Sequence, residues 1–162
     1  MAVAVFQSST IQGDVLFSEK RGGIQIKAVF TKLPPGEHGF HIHKAGDLRG
    51  EGCKGACAHY DTSNSEHGGA PDSKGPRHTG DLGNIRGPQF SKTYFLPHLS
   101  VNELYGRSVI VHADPDDLGQ GPHDDSKTTG HSGARIGCAI IGRVSCDRQT
   151  GGKTRKVKHT QN

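Results

Sequence analysis

Apolar and polar residues alternate along much of this chain with a period of two, the pattern of strands that bury one face. Residues 3–6, 15–17, 24–30, 40–43, 93–96, 108–111 and 139–144 are short runs of this kind, rich in β-branched and aromatic side chains. Gln12-Gly13, Arg21-Gly22-Gly23, Pro34-Pro35-Gly36 and Gly87-Pro88 separate them as turns. No helical stripe competes, so the pattern predicts an all-β domain. Two stretches break the alternation, residues 46–80 and 113–133, both rich in Gly, Asp, Ser and His and poor in apolar residues. Loops of that length in a compact domain carry a function or are disordered, and a bound metal would order them.

Composition agrees with short strands and long turns: 162 residues, 24 glycines and only 31% hydrophobic residues, enough for one domain with one core. The first residues hold no basic segment followed by an apolar run, and no stretch reaches the ~18 apolar residues of a membrane span. The expectation is a soluble cytoplasmic protein with no membrane partner.

The net charge of +4 changes this picture little, because it lies at one end. Residues 1–146 are balanced and are expected to form the domain. Residues 147–162 carry Arg148, Lys153, Arg155, Lys156 and Lys158 against Asp147 alone. That segment has almost nothing apolar to offset its ordering entropy, so a flexible basic tail is expected. Its other reading is a weak site for nucleic acid or anionic surfaces, and no nucleic-acid partner is expected. The four cysteines allow three pairings if all are oxidised, and a cytosolic setting disfavours any of them.

The chemistry lies in the histidines. His41 and His43 are two residues apart on a strand, so their rings share a face and His38 points the other way. His112 ends the apolar run 109–111 and could close a site from a neighbouring strand; imidazole nitrogens suit copper, zinc, iron and nickel. The first loop offers His59, His67 and His78 with Asp81, and three imidazoles with a carboxylate make a closed four-coordinate zinc site. His38, His98, His123, His131 and His159 fit neither cluster and read as structural or solvated.

Five blocks, taken in order, resemble the copper/zinc superoxide dismutases over nearly the whole of residues 3–144. They are His38-Gly39-Phe40-His41-Ile42-His43, His67-Gly68-Gly69, His78-Thr79-Gly80-Asp81-Leu82-Gly83-Asn84, Val111-His112 with Asp116-Asp117-Leu118-Gly119, and Gly130-His131-Ser132-Gly133-Ala134-Arg135-Ile136-Gly137-Cys138. The resemblance implies an eight-stranded antiparallel Greek-key sandwich or flattened barrel, immunoglobulin-like, with two long functional loops. It implies copper on His41, His43, His59 and His112 and zinc on His59, His67, His78 and Asp81, with His59 shared as a bridging imidazolate. Asp116 would link His41 to His67 and fix both rings. Arg135 would draw in superoxide and hydrogen-bond it, and Cys53 and Cys138 would form the disulfide anchoring the first loop, leaving Cys57 and Cys146 as free thiols.

The reaction implied is superoxide disproportionation by copper cycling between Cu(II) and Cu(I), serving antioxidant defence, with His59 coupling proton to electron transfer. A homodimer is implied, although Tyr105 and Arg143 stand where such dimers usually have aliphatic residues. Ala134 and Ile136 flank Arg135 where some relatives have prolines, which suggests copper loading without a chaperone. Asp114 and Thr128 stand where relatives often have lysines, so weaker local attraction of the anion is expected. A metal carrier or buffer on the same scaffold, without turnover, is the main rival reading, and a purely structural interaction module is the lesser one.

Overall fold

A computed structural model describes residues 1–145. Cys146 and the basic segment expected over 147–162 lie outside the described residues. Nine antiparallel strands form two sheets: β1 (Ala2–Gln7), β2 (Gln12–Lys20), β3 (Gly23–Lys32), β4 (Glu37–His43), β5 (Asp81–Arg86), β6 (Phe90–Pro97), β7 (Ser108–His112), β8 (Arg135–Ile140) and β9 (Gly142–Arg143). Their orders are β6-β3-β2-β1-β9 and β5-β4-β7-β8, so the chain changes sheet after β3, after β5, after β6 and again after β8. That crossing is the expected Greek-key sandwich. The count exceeds the expected eight because the last strand divides at Ile141: β8 pairs with β7, and two residues later β9 pairs with β1 in the other sheet. Strand β5 escaped the alternation pattern, since Asp81-Leu82-Gly83-Asn84 contains no β-branched residue.

Alternation decides the core. Ala2, Ala4 and Phe6 of β1 point inward with Val15 and Phe17 of β2 and Ile24, Ile26, Ala28 and Phe30 of β3. Phe40 and Ile42 of β4, Leu82 and Ile85 of β5, and Val109 and Val111 of β7 meet them from the second sheet. Phe30 stands edge-on to Phe40 with ring centroids 5.7 Å apart, a favoured aromatic contact across the two layers.

The outer face of the second sheet is not left to water. Every residue of β7 and all but Glu37 of β4 are buried, because the two long loops cover that face. Thus His41, His43 and His112 point away from the core and are still at most 4% exposed. The loops fasten to one another and to the barrel: His67 N–H donates to the Lys127 carbonyl (2.9 Å), and a disulfide joins Cys53, in a 3-10 segment (Glu51–Ala56), to Cys138 on β8. This pairing was implied by resemblance, and Cys57 is a free, exposed thiol.

The disulfide closes a span of 85 residues, a length for which chain-entropy arguments give large effects. Replacing Cys53 and Cys138 together by serine should lower unfolding stability by about 2–5 kcal/mol. Urea unfolding of the two proteins checks this; an unchanged midpoint would place the anchoring of the first loop elsewhere.

Candidate metal centre

Strand β4 supplies His41 and His43 to one face, and its pairing with β7 brings His112 alongside. His59 arrives from the first loop, where Tyr60 N–H donates to the Ile42 carbonyl (2.8 Å) and Lys44 N–H to the Ala58 carbonyl (3.0 Å). This short bridge sets His59 opposite His43. Ring centroids are 4.0 Å apart for His41 and His59, 4.9 Å for His43 and His59, and 4.9 Å for His41 and His112.

The other nitrogens show how these four are oriented. His41 Nε2–H donates to Asp116 Oδ2 (2.7 Å), His43 Nδ1–H to the Cys57 carbonyl (2.8 Å) and His112 Nδ1–H to the Gly133 carbonyl (3.1 Å). Oxygen acceptors fix those nitrogens as the protonated ones, so the opposite nitrogens carry lone pairs. These are His41 Nδ1, His43 Nε2 and His112 Nε2; with His59 Nε2 they are buried and have no hydrogen-bond partner. Four buried lone pairs with nothing to bond would each cost about 1–3 kcal/mol. Their convergence fits a soft or borderline cation, and His41, His43, His59 and His112 form one group whose donor atoms lie within 4.8 Å of each other.

A second group adjoins the first. His41, His59, His67 and Asp81 have donor atoms within 4.8 Å. Asp81 Oδ1 accepts from His59 Nδ1 (2.9 Å), and Oδ2 accepts the backbone N–H groups of Gly68 (3.0 Å) and His78 (2.8 Å). His67 Nδ1 lies 3.1 Å from Asp81 Oδ2 but without the alignment of a hydrogen bond. His78 stands at the edge of this group, its Nδ1 3.4 Å from both His59 Nδ1 and Asp81 Oδ1.

Asp116 joins the two groups. Its Oδ1 accepts from His67 Nε2 (2.8 Å) while Oδ2 holds His41. Its own backbone is gripped by Asn84 on β5, whose Oδ1 accepts Asp116 N–H (2.7 Å) and whose amide donates to the Asp116 carbonyl (2.9 Å). Gly130, at φ 68, passes so close that any Cβ would strike both Asp116 and His67. Asn84 and Gly130 have no site role in the sequence reading, since a residue that holds another residue's backbone leaves no ligand pattern. The same is true of the Cys57 and Gly133 carbonyls and of Arg77, which donates to the Thr79 and Asp81 carbonyls, both at 2.9 Å.

Electrostatics separate the two groups. Burial, then repulsion from neighbouring imidazoles, holds His41 and His43 well below the ordinary histidine value, and burial lowers His59 and brings His112 to about 4. Burial also works against charge on His67, but the Asp116 and Asp81 carboxylates outweigh it and lift that ring to about 9. Burial would raise Asp81, yet the hydrogen bond from His59 and the close approach of the His67 and His78 rings keep it far below the carboxylate range. One group is therefore neutral and rich in lone pairs, the other ionic.

Arg135, the first residue of β8, donates Nη1–H to the Cys53 carbonyl (2.7 Å) and Nη2–H to the Cys57 carbonyl (2.6 Å). It thereby pins the disulfide-bearing loop. It also lines an open pocket of about 280 Å³ with His43, His59, His112, Thr128 and Gly133. His38 takes no part: its nitrogens face the carbonyls of His112 (2.9 Å), Ala113 (3.1 Å) and Pro34 (3.2 Å) inside the scaffold.

Known proteins resemble this chain over most of its length. The family model described as copper/zinc superoxide dismutase matches residues 11–141. A superoxide dismutase [Cu-Zn] of Paramecium bursaria Chlorella virus 1 is 44% identical over 148 residues, covering 87% of this chain and 77% of that protein. The crystal structure of the clock protein EA4 superposes with a TM-score of 0.76 at 34% identity, covering 87% of this chain and 92% of that one. With a Greek-key sandwich, two adjoining histidine groups and this match over most of its length, the chain belongs to the copper/zinc superoxide dismutase family.

Proposed function

We infer that this chain converts superoxide to oxygen and hydrogen peroxide, with copper held by His41, His43, His59 and His112 and zinc by His59, His67, His78 and Asp81. The observation that carries the copper assignment is the set of four buried, unpartnered nitrogens, His41 Nδ1, His43 Nε2, His59 Nε2 and His112 Nε2. For zinc, His78 takes the fourth place in preference to His41, whose Nε2 is engaged by Asp116 and whose Nδ1 belongs to the copper set. His59 is then common to both ions.

Bound copper supplies one-electron cycling, one superoxide giving up its electron to leave as oxygen and the next taking it to leave, with two protons, as hydrogen peroxide, while zinc is redox-inert. The protein's own residues do the rest. Arg135 uses two of its five N–H donors on loop carbonyls, so its remaining donors and its permanent charge are available to a diatomic anion entering the pocket. His59 carries a proton on Nε2 at one stage of the cycle and gives it to the departing peroxide. Asp116 keeps the His41 and His67 rings from turning as charge in the site changes.

The reading extends to a homodimer in the cytoplasm. Val5 on β1 and Ile140 on β8 are 47% and 48% exposed, large apolar side chains on adjoining strands that a second copy would cover. Against this, the Arg143 guanidinium lies 4.5 Å from the Tyr105 ring centroid and sheathes it. Among the described residues no helix is long and apolar enough to cross a membrane.

Metal analysis with superoxide consumption tests the function. Arg135→Ala should keep both metals and lose about tenfold or more in rate, the scale of a guiding charge, and His59→Ala should bind both metals more weakly. An Arg135 variant of undiminished rate would overturn the guiding role, and a metal-loaded protein without turnover would favour a carrier.

The metal-free protein should be most stable near pH 6.5. Below that, the histidines held low (His112 at about 4) resist the protons that the unfolded chain takes up, so stability falls as pH drops toward 4. Above it, the stabilisation from His67, held at about 9, fades as pH rises through that value. Urea midpoints of chelator-stripped protein across this range check both slopes, and a monotonic profile would contradict them.

Sedimentation at micromolar concentration should give a dimer that Val5→Asp with Ile140→Asp converts to monomer; a wild-type monomer would overturn the assembly.

A further inference from the structure

The second loop holds a pair of histidines that the two metal groups do not use. His123 and His131 stack face to face, ring centroids 3.6 Å apart and planes within 10° of parallel, and both are exposed. The backbone builds this meeting. His123 N–H donates to Ser126 Oγ (3.1 Å), and the buried Ser126 hydroxyl donates in turn to Asp117 Oδ2 (2.5 Å). One helical turn follows, α1 (Ser126–Thr129), and then Gly130 at φ 68 and His131 at φ 50 turn the chain back. A left-handed φ is uncommon for a residue with a side chain, so His131 is held there by its surroundings.

His131 is also oriented. Its Nδ1–H donates to Asp125 Oδ1 (2.7 Å), while Asp125 Oδ2 accepts from Thr129 Oγ1 (3.0 Å). A carboxylate fixing one ring nitrogen so that the other presents its lone pair is the arrangement that supports metal-bound histidines. His131 Nε2 is thus turned outward beside the His123 ring, which makes no hydrogen bond within the described residues. Pinning the loop requires only the Asp125–His131 bond and leaves the His123 ring without a task.

We propose that His123 and His131 form a third metal site, an open two-histidine capture site for a divalent first-row transition ion, Cu(II) foremost, at the mouth of the catalytic pocket. Cu(II) binds imidazole most tightly of its series. The carboxylate of Asp125 adds negative charge beside the pair, and the Lys127 ammonium is drawn toward Glu66 (3.4 Å). Near-parallel rings do not aim both lone pairs at one point, so binding at the pair requires the exposed His123 ring to turn out of the stack, with water filling the remaining positions. Asp125 lines the same pocket as His43, His59 and His112, so an ion held here waits at the entrance to the buried cluster. That delivery role rests on the copper assignment above, whereas binding at the pair does not.

The test uses protein with both buried sites filled. Calorimetric titration with Cu(II), followed by electron paramagnetic resonance, should show one further equivalent with its own spectrum. His123→Gln with His131→Asn should weaken that binding at least tenfold; asparagine tolerates the left-handed backbone at 131, so the fold is kept. Asp125→Asn should weaken it less, through loss of the orienting charge. No third equivalent in the wild type, or the same affinity in the double variant, overturns the site. Stopped-flow mixing of Cu(II) with copper-free, zinc-loaded protein tests delivery: the double variant should load several-fold more slowly to the same final copper content. An equal loading rate overturns delivery. A failure of the dismutase reading would show instead as fully loaded protein that does not consume superoxide.

Discussion

The structure turns on burying imidazole nitrogens that have nothing in the protein to bond. A domain normally satisfies its buried polar groups, and here five ring nitrogens on His41, His43, His59, His67 and His112 stand without a hydrogen-bond partner. Each represents a desolvation cost that a bound cation would recover, so metal binding is expected to stabilise the fold. The loops that impose the burial are the same loops that supply His59, His67, His78 and Asp81.

Orientation comes from oxygen atoms outside the metal groups. Carbonyls of Cys57 and Gly133 and the carboxylate of Asp116 hold one nitrogen of each strand histidine and leave the other free. The Cys57 carbonyl is shared: it accepts from His43 and from Arg135. A single peptide thus orients both a ring of the first histidine group and the guanidinium that lines the pocket. The disulfide holds this peptide's segment to β8, which places Arg135 and Cys138 on one strand and fastens both ends of the arrangement.

Asp116 makes the two metal groups one object, because a shift of His41 is passed to His67 through its two oxygens. Asn84 and the close approach of Gly130 leave that carboxylate no other position. The second loop is accordingly shaped more by what must fit around Asp116 than by its own propensity. Its glycines at φ 73, 68 and 72 (Gly119, Gly130 and Gly133) and its non-glycine outliers Leu118 and His131 mark where the chain yields to that packing.

Much of this was legible in the residues themselves. Alternation located seven of the strand runs, and the sequence pointed to His41, His43, His59, His67, His78, Asp81 and His112, which the fold does bring together, because strand periodicity is local and ligand types are few. Strand β5, whose residues do not alternate, and the division of the last strand at Ile141, which depends on two sheets competing for one segment, leave no such local mark. Only the folded chain decided that histidines on the outer face of β4 are buried, which nitrogen of each ring is free, and that His123 and His131 meet. Those outcomes rest on backbone carbonyls and on contacts between residues as far as 75 positions apart, and a carbonyl is the same in every residue, so it leaves no mark in a sequence.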